Sequence, residues 1–402
     1  MDILEAKNLV IESGHRLKET GLIARTWGNI SCRVSDTHFV ITPSGMSYDR
    51  LTPDDIVLMD MRDMSYEGDV KPSGEKGIHA LVYKKRPEAN FVIHTHQEHA
   101  SAVSALRGGI VDVAPELQAR FGVRVPLANY GLPGTKKLIK GVEKAIEKTD
   151  GQAVLMACHG ALVWGADSQD AFTVAHELET VAKGAVRGQF KAVINPVLPE
   201  TEGDFEDAVV NHFITDYRPV DNNAFFCCDS RRLEDKPAFV VHFPDGDKEF
   251  SVYSETRGEP HTAHLYREIY KNRPDIKVIR VVRDESVIAV SMIGKSLKPQ
   301  LDDFAQLLGA DVRCVVYNNK VPKSSAAVCA RALKGRHALL LMGVGALCSG
   351  IDDSDAEAAC MILLKACRTR IASMLFDTYK VIPAIEAHLM RFVYLKKYSK
   401  KQ

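Results

Sequence analysis

Apolar residues recur at helical spacing through MDILEAKNLVIESGHRLKE, which predicts an amphipathic helix over residues 2–21, ending near Gly21. Short alternating segments at 30–34 and 38–41 read as strands. A TPSG turn at 42–45 separates them from the next strand signal, in LTPDDIVLMD. GEKGIHALVYKKRPE reads as a helix that stops before Pro87, because a residue ahead of proline is pushed out of helical geometry. The apolar run 91–93 leads into His94-Thr95-His96, and another helix begins near Glu98. Farther on, 152–157 reads as a buried strand running into His159-Gly160, closed by a long helix over 169–185. Helices and strands mixed in this way predict a layered α/β fold with a central, mainly antiparallel sheet flanked by helices.

The pattern occurs twice. AVLMACHGALVWGADSQDAFTVAHELETVAK, from Ala153, matches ALLLMGVGALCSGIDDSDAEAACMILLKACR, from Ala338, at a shift of 185. Gly160, Ala161, Leu162, Gly165, Asp167, Asp170 and Ala171 meet the same residue types at Gly345, Ala346, Leu347, Gly350, Asp352, Asp355 and Ala356. YKKRPEANFVIHTHQEHASAVS, from Tyr83, aligns with YKNRPDIKVIRVVRDESVIAVS, from Tyr270, at a shift of 187. FVITPSG, from Phe39, resembles FVVHFPDG, from Phe239, so the second copy lacks some 13 residues in the stretch corresponding to 51–73. A tandem duplication follows, with a first domain at 1–205 and a second at 206–402, divided in the acidic, proline-containing stretch around 197–206.

The repeat acts as an internal control on the chemistry. His94 and His96 are two apart at the end of an apolar strand, so both imidazoles point to one side. His159 closes another apolar strand, and Gly160 after it permits a sharp exit. A His-x-His pair alone is ambiguous, since exposed or hydrogen-bonded histidines are common. In the second copy, however, the three positions hold Val281, Arg283 and Val344, while the neighbouring apolar and glycine positions persist. Residues needed only for packing would not vary as a set, so the three histidines read as ligands of one metal ion with an open position, a zinc-type catalytic arrangement.

Glu75, at a predicted helix start, faces Thr262 in the second copy. It reads either as a first-turn carboxylate favoured by the helix dipole or as a base that removes a proton alpha to a carbonyl beside the metal. Asn29 in GNIS, Ser44 and Gly45 in TPSG, and Ser73 and Gly74 in PSGE lie in three short polar loops. Each could be only a turn; together they could hold a phosphate through N–H and hydroxyl groups.

Composition narrows the partners. Lysine plus arginine equals aspartate plus glutamate, 52 against 52, which gives no electrostatic reason for nucleic acid or an acidic membrane and favours a small soluble ligand. The nine cysteines are odd in number and scattered through apolar stretches, as reduced core thiols would be. There is no signal-peptide pattern and no run of about 18 apolar residues, so a cytoplasmic protein is expected.

TWGNISCRV, ITPSGMSYDRLTPDDIVLMD, PSGEKGIHALVYKKRPEANFVIHTH and HGALVWGADSQDAFTVAHELE resemble, in order, the successive motifs of the class II aldolase/adducin family, and most closely its zinc-dependent L-fuculose-1-phosphate aldolases. The resemblance covers residues 1 to about 190; the second copy resembles the same fold more faintly. It implies one divalent ion per chain, Zn2+, on His94, His96 and His159, with Glu75 as acid/base, and phosphate contacts from Asn29, Ser44, Gly45 and Ser73. The implied reaction is reversible cleavage of a ketose 1-phosphate to dihydroxyacetone phosphate and an aldehyde. The family pattern has serine where Gly74 stands, so one phosphate-contacting hydroxyl is missing. Its proton-donor tyrosine falls near Pro115 or Glu116, with Tyr130 the nearest substitute or else a packing residue. Competing readings are a decarboxylase, dehydratase or epimerase with the same metal site, or a non-catalytic adducin-like scaffold. Because such proteins form cyclic homotetramers, the resemblance also implies a homo-oligomer, potentially a dimer of pseudo-fourfold symmetry.

Overall fold

A computed structural model describes residues 1–23, 27–106, 108–111, 113–194, 228–378 and 380–397. The chain forms two compact units: Met1–Asn195 with Ala372–Lys380 and Val393–Gln402, and Pro196–Ile371 with Val381–Phe392. The expected domain boundary at 205/206 lies outside the described residues. Among the described residues no helix is long and apolar enough to cross a membrane.

The first unit runs α1 (Ile3–Glu19), β1 (Asn29–Arg33), β2 (His38–Ile41), β3 (Val57–Asp60), α2 (Lys76–Lys85), β4 (Phe91–Thr95), α3 (Glu98–Ser104), β5 (Ile110–Val111), α4 (Gln118–Phe121), β6 (Arg124–Val125), β7 (Leu127–Ala128), α5 (Lys136–Ile146), β8 (Ala153–Met156), β9 (Gly160–Gly165) and α6 (Ser168–Ile194). Seven strands form one sheet in the order β3-β2-β1-β4-β9-β8-β7, and β5 and β6 pair separately. Every neighbouring pair in the large sheet is antiparallel except β7 with β8. The layered, mainly antiparallel architecture expected from the sequence is therefore present.

Side-chain alternation divides the core between the two faces of this sheet. Phe91 and Ile93 of β4 join Ile30, Val163 and the buried stripes of α1, α3 and α6 on one side. Val92 joins Ile41, Leu162, Trp164 and the apolar faces of α2 and α5 on the other. His94 has the parity of Val92, so the strand delivers its imidazole to the α2 side. Its pairing partners there are Asn29 on β1 and Leu162 on β9.

The second unit repeats this plan with β10 (Ser230–Arg232), β11 (Ala238–Phe243), β12 (Gly246–Ser251), α7 (His261–Asn272), β13 (Val278–Val282), α8 (Glu285–Met292), α9 (Asp302–Leu307), β14 (Arg313–Val315), α10 (Pro322–Ala332), β15 (Ala338–Leu341) and β16 (Gly345–Gly350), together with α11 (Asp353–Leu375) as far as Ile371 and α12 (Ala384–Lys397) as far as Phe392. Its strand order, β12-β11-β10-β13-β16-β15-β14, is that of the first sheet position for position. Register fixes the correspondence: His94 faces Leu162 and Val281 faces Leu347, the pairs that the repeat predicts. Much of the expected shortening falls in the β2–β3 connection, earlier than 51–73 in part. The equivalent link, β11 to β12, is a hairpin closing at Phe243 and Gly246, so a tight FPDG turn stands in place of the longer TPSG loop.

Both copies bring β9 or β16 unusually close to the preceding central strand. A Cβ on Gly160 would fall on the Thr95 carbonyl oxygen, and one on Gly345 would fall on that of Val282. These are backbone atoms that cannot swing aside, so alanine must part the strands. Gly160→Ala is expected to destabilise the first unit by about 3 kcal/mol and to lower its capacity for divalent metal. Gly345→Ala should cost a similar amount while leaving metal capacity intact. Thermal unfolding together with metal analysis of both variants checks this; equal metal loss in the two would contradict it.

Candidate metal centre

Three buried imidazoles converge at the end of β4. His94 ends the α2-side row of that strand, His96 follows two residues on, and His159 occupies the tight turn between β8 and β9. The turn closes with a hydrogen bond from His159 N to the Met156 carbonyl at 3.0 Å. Their exposures are 0 %, 5 % and 3 %, so water cannot readily compensate whatever these nitrogens lack.

The nitrogen geometry decides what the cluster can hold. His94 Nδ1 lies 2.8 Å from the Ala161 carbonyl oxygen, which can only accept, so the ring carries its proton there and turns a lone pair outward at Nε2. That Nε2 is 3.2 Å from His159 Nε2 and 3.0 Å from His96 Nε2. Converging lone pairs repel unless a cation lies between them. Tetrahedral zinc–imidazole bonds would set nitrogens about 3.3 Å apart, close to these separations. The donor set therefore fits a divalent ion, and among the described residues it is the group of three with ligand atoms all within 4.8 Å.

Glu75 completes the arrangement. It immediately precedes α2, but its carboxylate makes no hydrogen bond to the helix end. The oxygens instead lie 3.3 Å from His94 Nε2 and 3.4 Å from His159 Nε2, and Asn29 Nδ2 donates to Oε2 at 2.9 Å. Burial pushes this carboxyl up, but His94 and His159 when protonated, the Asn29 hydrogen bond and His96 when protonated together outweigh it and hold the group down at about 2. Glu75 is thus a carboxylate held against His94 and His159, not a helix-capping residue.

The two serine loops are joined to each other. Ser44 N donates to the Lys71 carbonyl at 2.9 Å and Ser73 N to the Thr42 carbonyl at 3.0 Å, with Pro43 and Pro72 as bridge partners. Thr42 is in turn bound to Ile30, next to Asn29, through its backbone N–H and its hydroxyl. Gly45 adopts a left-handed φ of 73°. Ser73 is buried and its hydroxyl accepts from Glu75 N at 3.2 Å, whereas Gly74 is exposed. The structure thus brings Asn29, Ser44, Gly45, Ser73 and Gly74 to the same edge as Glu75. Tyr130 packs with the Lys137 ammonium 5.9 Å from its ring centre. Sequence reasoning missed His79, which contacts Asn29, and Ser31, which contacts His79, both from within the core. The available signal was the exchange of His79 for Tyr266 in the repeat.

The family described as Class II Aldolase and Adducin N-terminal domain matches residues 8–186 and again residues 218–371. The chain belongs to this family. A 5-deoxy-D-ribulose 1-phosphate aldolase of Bacillus thuringiensis serovar kurstaki is 34% identical over 195 residues, 48% of this chain and 89% of the relative. An L-fuculose phosphate aldolase of Escherichia coli strain K12 is 34% identical over 174 residues, 43% of this chain and 79% of the relative. A 3-oxo-tetronate 4-phosphate decarboxylase of Haemophilus influenzae is 33% identical over 188 residues, 46% of this chain and 88% of the relative. The relatives are enzymes of this family, and more than one reaction is represented among them.

What holds the chain as it leaves His96 is a carboxylate from another helix. Gln97, at the α3 N-terminus, makes no side-chain cap, and its amide donates instead to the Ala175 carbonyl of α6 at 3.0 Å. Glu179 of α6 supplies the cap, accepting from His99 N at 2.6 Å, His99 Nδ1 at 2.9 Å and Ala100 N at 3.0 Å. Burial disfavours charge on both side chains, but their mutual hydrogen bond and attraction prevail, raising the His99 pKa and lowering that of Glu179. His99 therefore contributes fully below its ordinary 6.5 and loses that contribution as pH rises through its raised value. Glu179 contributes fully above its ordinary 4.5 and loses it as pH falls through its depressed value. Glu179→Gln should destabilise the first unit most between pH 4.5 and 6.5, by about 2 kcal/mol, and less at pH 9. Denaturant midpoints measured across pH check the window; a loss independent of pH would contradict it.

Replacement of His94 or His96 by alanine is expected to abolish binding of one equivalent of divalent metal, whereas Arg283→Ala leaves it unchanged. Metal content after dialysis against micromolar zinc provides the measurement, and retention by the double histidine variant would refute the site.

Proposed function

We propose that residues 1–205 form a metal-dependent aldolase domain that reversibly cleaves a fuculose-phosphate-like ketose 1-phosphate to dihydroxyacetone phosphate and an aldehyde, and that residues 206–402 form a related domain without ligands of its own. The observation that carries this reading is the carboxylate of Glu75 placed beside three converging imidazole nitrogens. His94, His96 and His159 would hold the ion, with zinc favoured by an all-imidazole set. When bound, a divalent ion supplies polarisation of the ketose carbonyl and stabilises negative charge developing on it.

The chain's own groups account for the remaining work. In the condensation direction Glu75 takes the proton alpha to the carbonyl of dihydroxyacetone phosphate, and in cleavage it returns that proton. Asn29 holds the carboxylate through its amide N–H. The joined loops around Ser44, Gly45, Ser73 and Gly74 offer N–H and hydroxyl donors to the phosphate. In condensation the aldehyde oxygen requires a further proton donor, and in cleavage the same group takes the proton of the C4 hydroxyl as the aldehyde forms; Tyr130 is the candidate. The second reading, decarboxylation of a phosphorylated oxo acid, is favoured by the 33% identity to the Haemophilus influenzae decarboxylase. It would draw on the same carbonyl polarisation, and release of carbon dioxide distinguishes it from aldol cleavage.

Glu75→Gln is expected to leave the fold and most of the metal in place while slowing exchange of the alpha proton of dihydroxyacetone phosphate with solvent by about 10² or more. Following deuterium incorporation by NMR checks this. Exchange at the wild-type rate in the variant would remove Glu75 from the reaction, and absence of exchange in the zinc-loaded wild type would remove the aldolase reading.

A further inference from the structure

A line of side-chain hydrogen bonds runs from Glu75 into the core of the first unit. Asn29 Nδ2 lies 2.9 Å from Glu75 Oε2, His79 Nε2 lies 2.5 Å from Asn29 Oδ1, Ser31 Oγ lies 2.7 Å from His79 Nδ1, and Tyr83 Oη lies 2.8 Å from Ser31 Oγ. His79 and Ser31 are both fully buried.

Donor directions along this line follow from its Glu75 end. A carboxylate only accepts, so Asn29 must turn its NH2 group towards Glu75 and its carbonyl towards His79. A carbonyl also only accepts, so the His79 proton sits on Nε2. The neutral ring then carries a lone pair at Nδ1, to which the Ser31 hydroxyl donates, and Tyr83 donates to Ser31. Each contact is satisfied by this one arrangement. Burial, reinforced by charge at His94 and only partly opposed by Glu75, pushes the His79 pKa down to about 3, which agrees with a neutral ring. If the Asn29 amide were flipped, its carbonyl would face the carboxylate and its NH2 would face the Nε2 proton, so both contacts would be repulsive.

The second unit shows that the fold itself does not need this histidine. The deep end of the line persists there: Tyr270 Oη donates to Ser230 Oγ at 3.1 Å. The register β10–β13 aligns Ser230 with Ser31 and places Cys228 at the Asn29 position. At the His79 position stands Tyr266, whose hydroxyl donates to the Cys228 carbonyl at 2.6 Å, and Ser230 Oγ donates to the Val240 carbonyl at 2.8 Å. There Tyr266 and Ser230 close their hydrogen bonds on backbone carbonyls. His79 and Asn29 are thus exchanged together with Glu75 and all three candidate metal ligands, while Ser31 and Tyr83, which pack in both copies, stay.

We propose that His79 is a positioning residue which, acting through Asn29, fixes the amide orientation that aims the Glu75 carboxylate. The proposal rests on the reading of Glu75 as the base. His79 does not touch the reacting atoms; it supplies the Nε2 proton that locks Asn29.

Two measurements test it. The first needs neither variant nor metal: a long-range ¹H–¹⁵N spectrum of metal-free protein labelled at histidine. His79 is expected as a neutral Nε2–H tautomer throughout pH 5 to 8, and a Nδ1–H tautomer or titration within that range overturns the proposal. The second compares zinc-loaded wild type with His79→Leu and His79→Gln in exchange of the alpha proton of dihydroxyacetone phosphate. His79→Leu, which lacks any donor, should lower kcat about 30-fold with KM changed less than threefold, while His79→Gln, which can donate from its amide to Asn29, should recover most of that loss. Equal kcat in the wild type and His79→Leu overturns the role of His79 alone. Equal loss in both variants also overturns it, since it marks a packing role. No exchange in the wild type defeats the aldolase reading, and the proposal with it.

Discussion

The candidate site depends on how closely β9 can lie against β4. The Gly160 backbone sits under the Thr95 carbonyl, where a side chain would not fit. That approach places the Ala161 carbonyl within reach of His94 Nδ1, and this bond selects the tautomer whose lone pair points into the site. It also draws the β8–β9 turn, and with it His159, to the end of the strand that carries His94. One backbone constraint thus sets the position of one imidazole and the protonation of another. The convergence of the three imidazoles is framed by the central strand pairing of a sheet packed on both faces.

Comparison of the two units separates what the fold requires from what the chemistry requires. Arg33 donates to the Tyr83 carbonyl at 2.8 Å and Arg232 to the Tyr270 carbonyl at 2.9 Å. Arg86 bonds the carbonyls of Ile146 and Thr149 beyond α5, and Arg273 bonds those of Leu333 and Arg336 beyond α10. These partly buried arginines satisfy helix-end carbonyls that would otherwise lack donors, so either copy loses stability without them. Nothing of that kind protects His94, His96, His159 or Glu75, and the second unit holds none of them. It also closes β11 directly onto β12, with a tight FPDG turn in place of the longer loop that in the first unit carries Ser44 and Gly45. Even the α3 cap follows the division. Asp284 caps the equivalent helix from its own chain position, with Ser286 N at 2.8 Å, where the first unit brings Glu179 across from α6.

Much of this was legible in the sequence because paired copies expose which positions vary together. The three candidate histidines and the long helices are legible from residue types and spacing, whereas for Glu75 these leave a helix-start carboxylate and a base both open, and the acid/base role is what the resemblance implies. The strand β9 is not legible, because GALVWG is buried on both faces and shows no alternation to distinguish it from a continuation of β8. Helix α5 was overlooked although its apolar residues recur at helical spacing, since Gly141 reads as a breaker; in the structure it allows the helix to pass the Asn129 carbonyl. The helix expected over 169–185 runs on through Gly184 and Gly188, and α6 continues to Ile194. His79 was hidden for a different reason. It lies on the buried stripe of α2 among Ile78, Leu81, Val82 and Tyr83, and only the partners reached by the folded chain distinguish it from a core residue.

The turn that carries His159 holds a final contrast. Cys158 has a left-handed φ of 61°, while its counterpart Gly343 has 71° in a turn closed in the same way, by Val344 N on the Leu341 carbonyl at 2.9 Å. Glycine adopts this conformation freely, whereas a residue with a Cβ does so at a cost of about 1 kcal/mol. The geometry is therefore demanded by the fold, and the copy without ligands meets it with the residue of least strain. In the first copy the strained residue lies directly before a candidate ligand, wedged between β8 and β9, with its N–H donated to the Ser104 carbonyl at 3.1 Å. Conformational strain persists only where surrounding contacts over-determine the backbone. Here those contacts come from α3, the helix that starts just after His96, so the element that sets the exit from one imidazole also holds the approach to another.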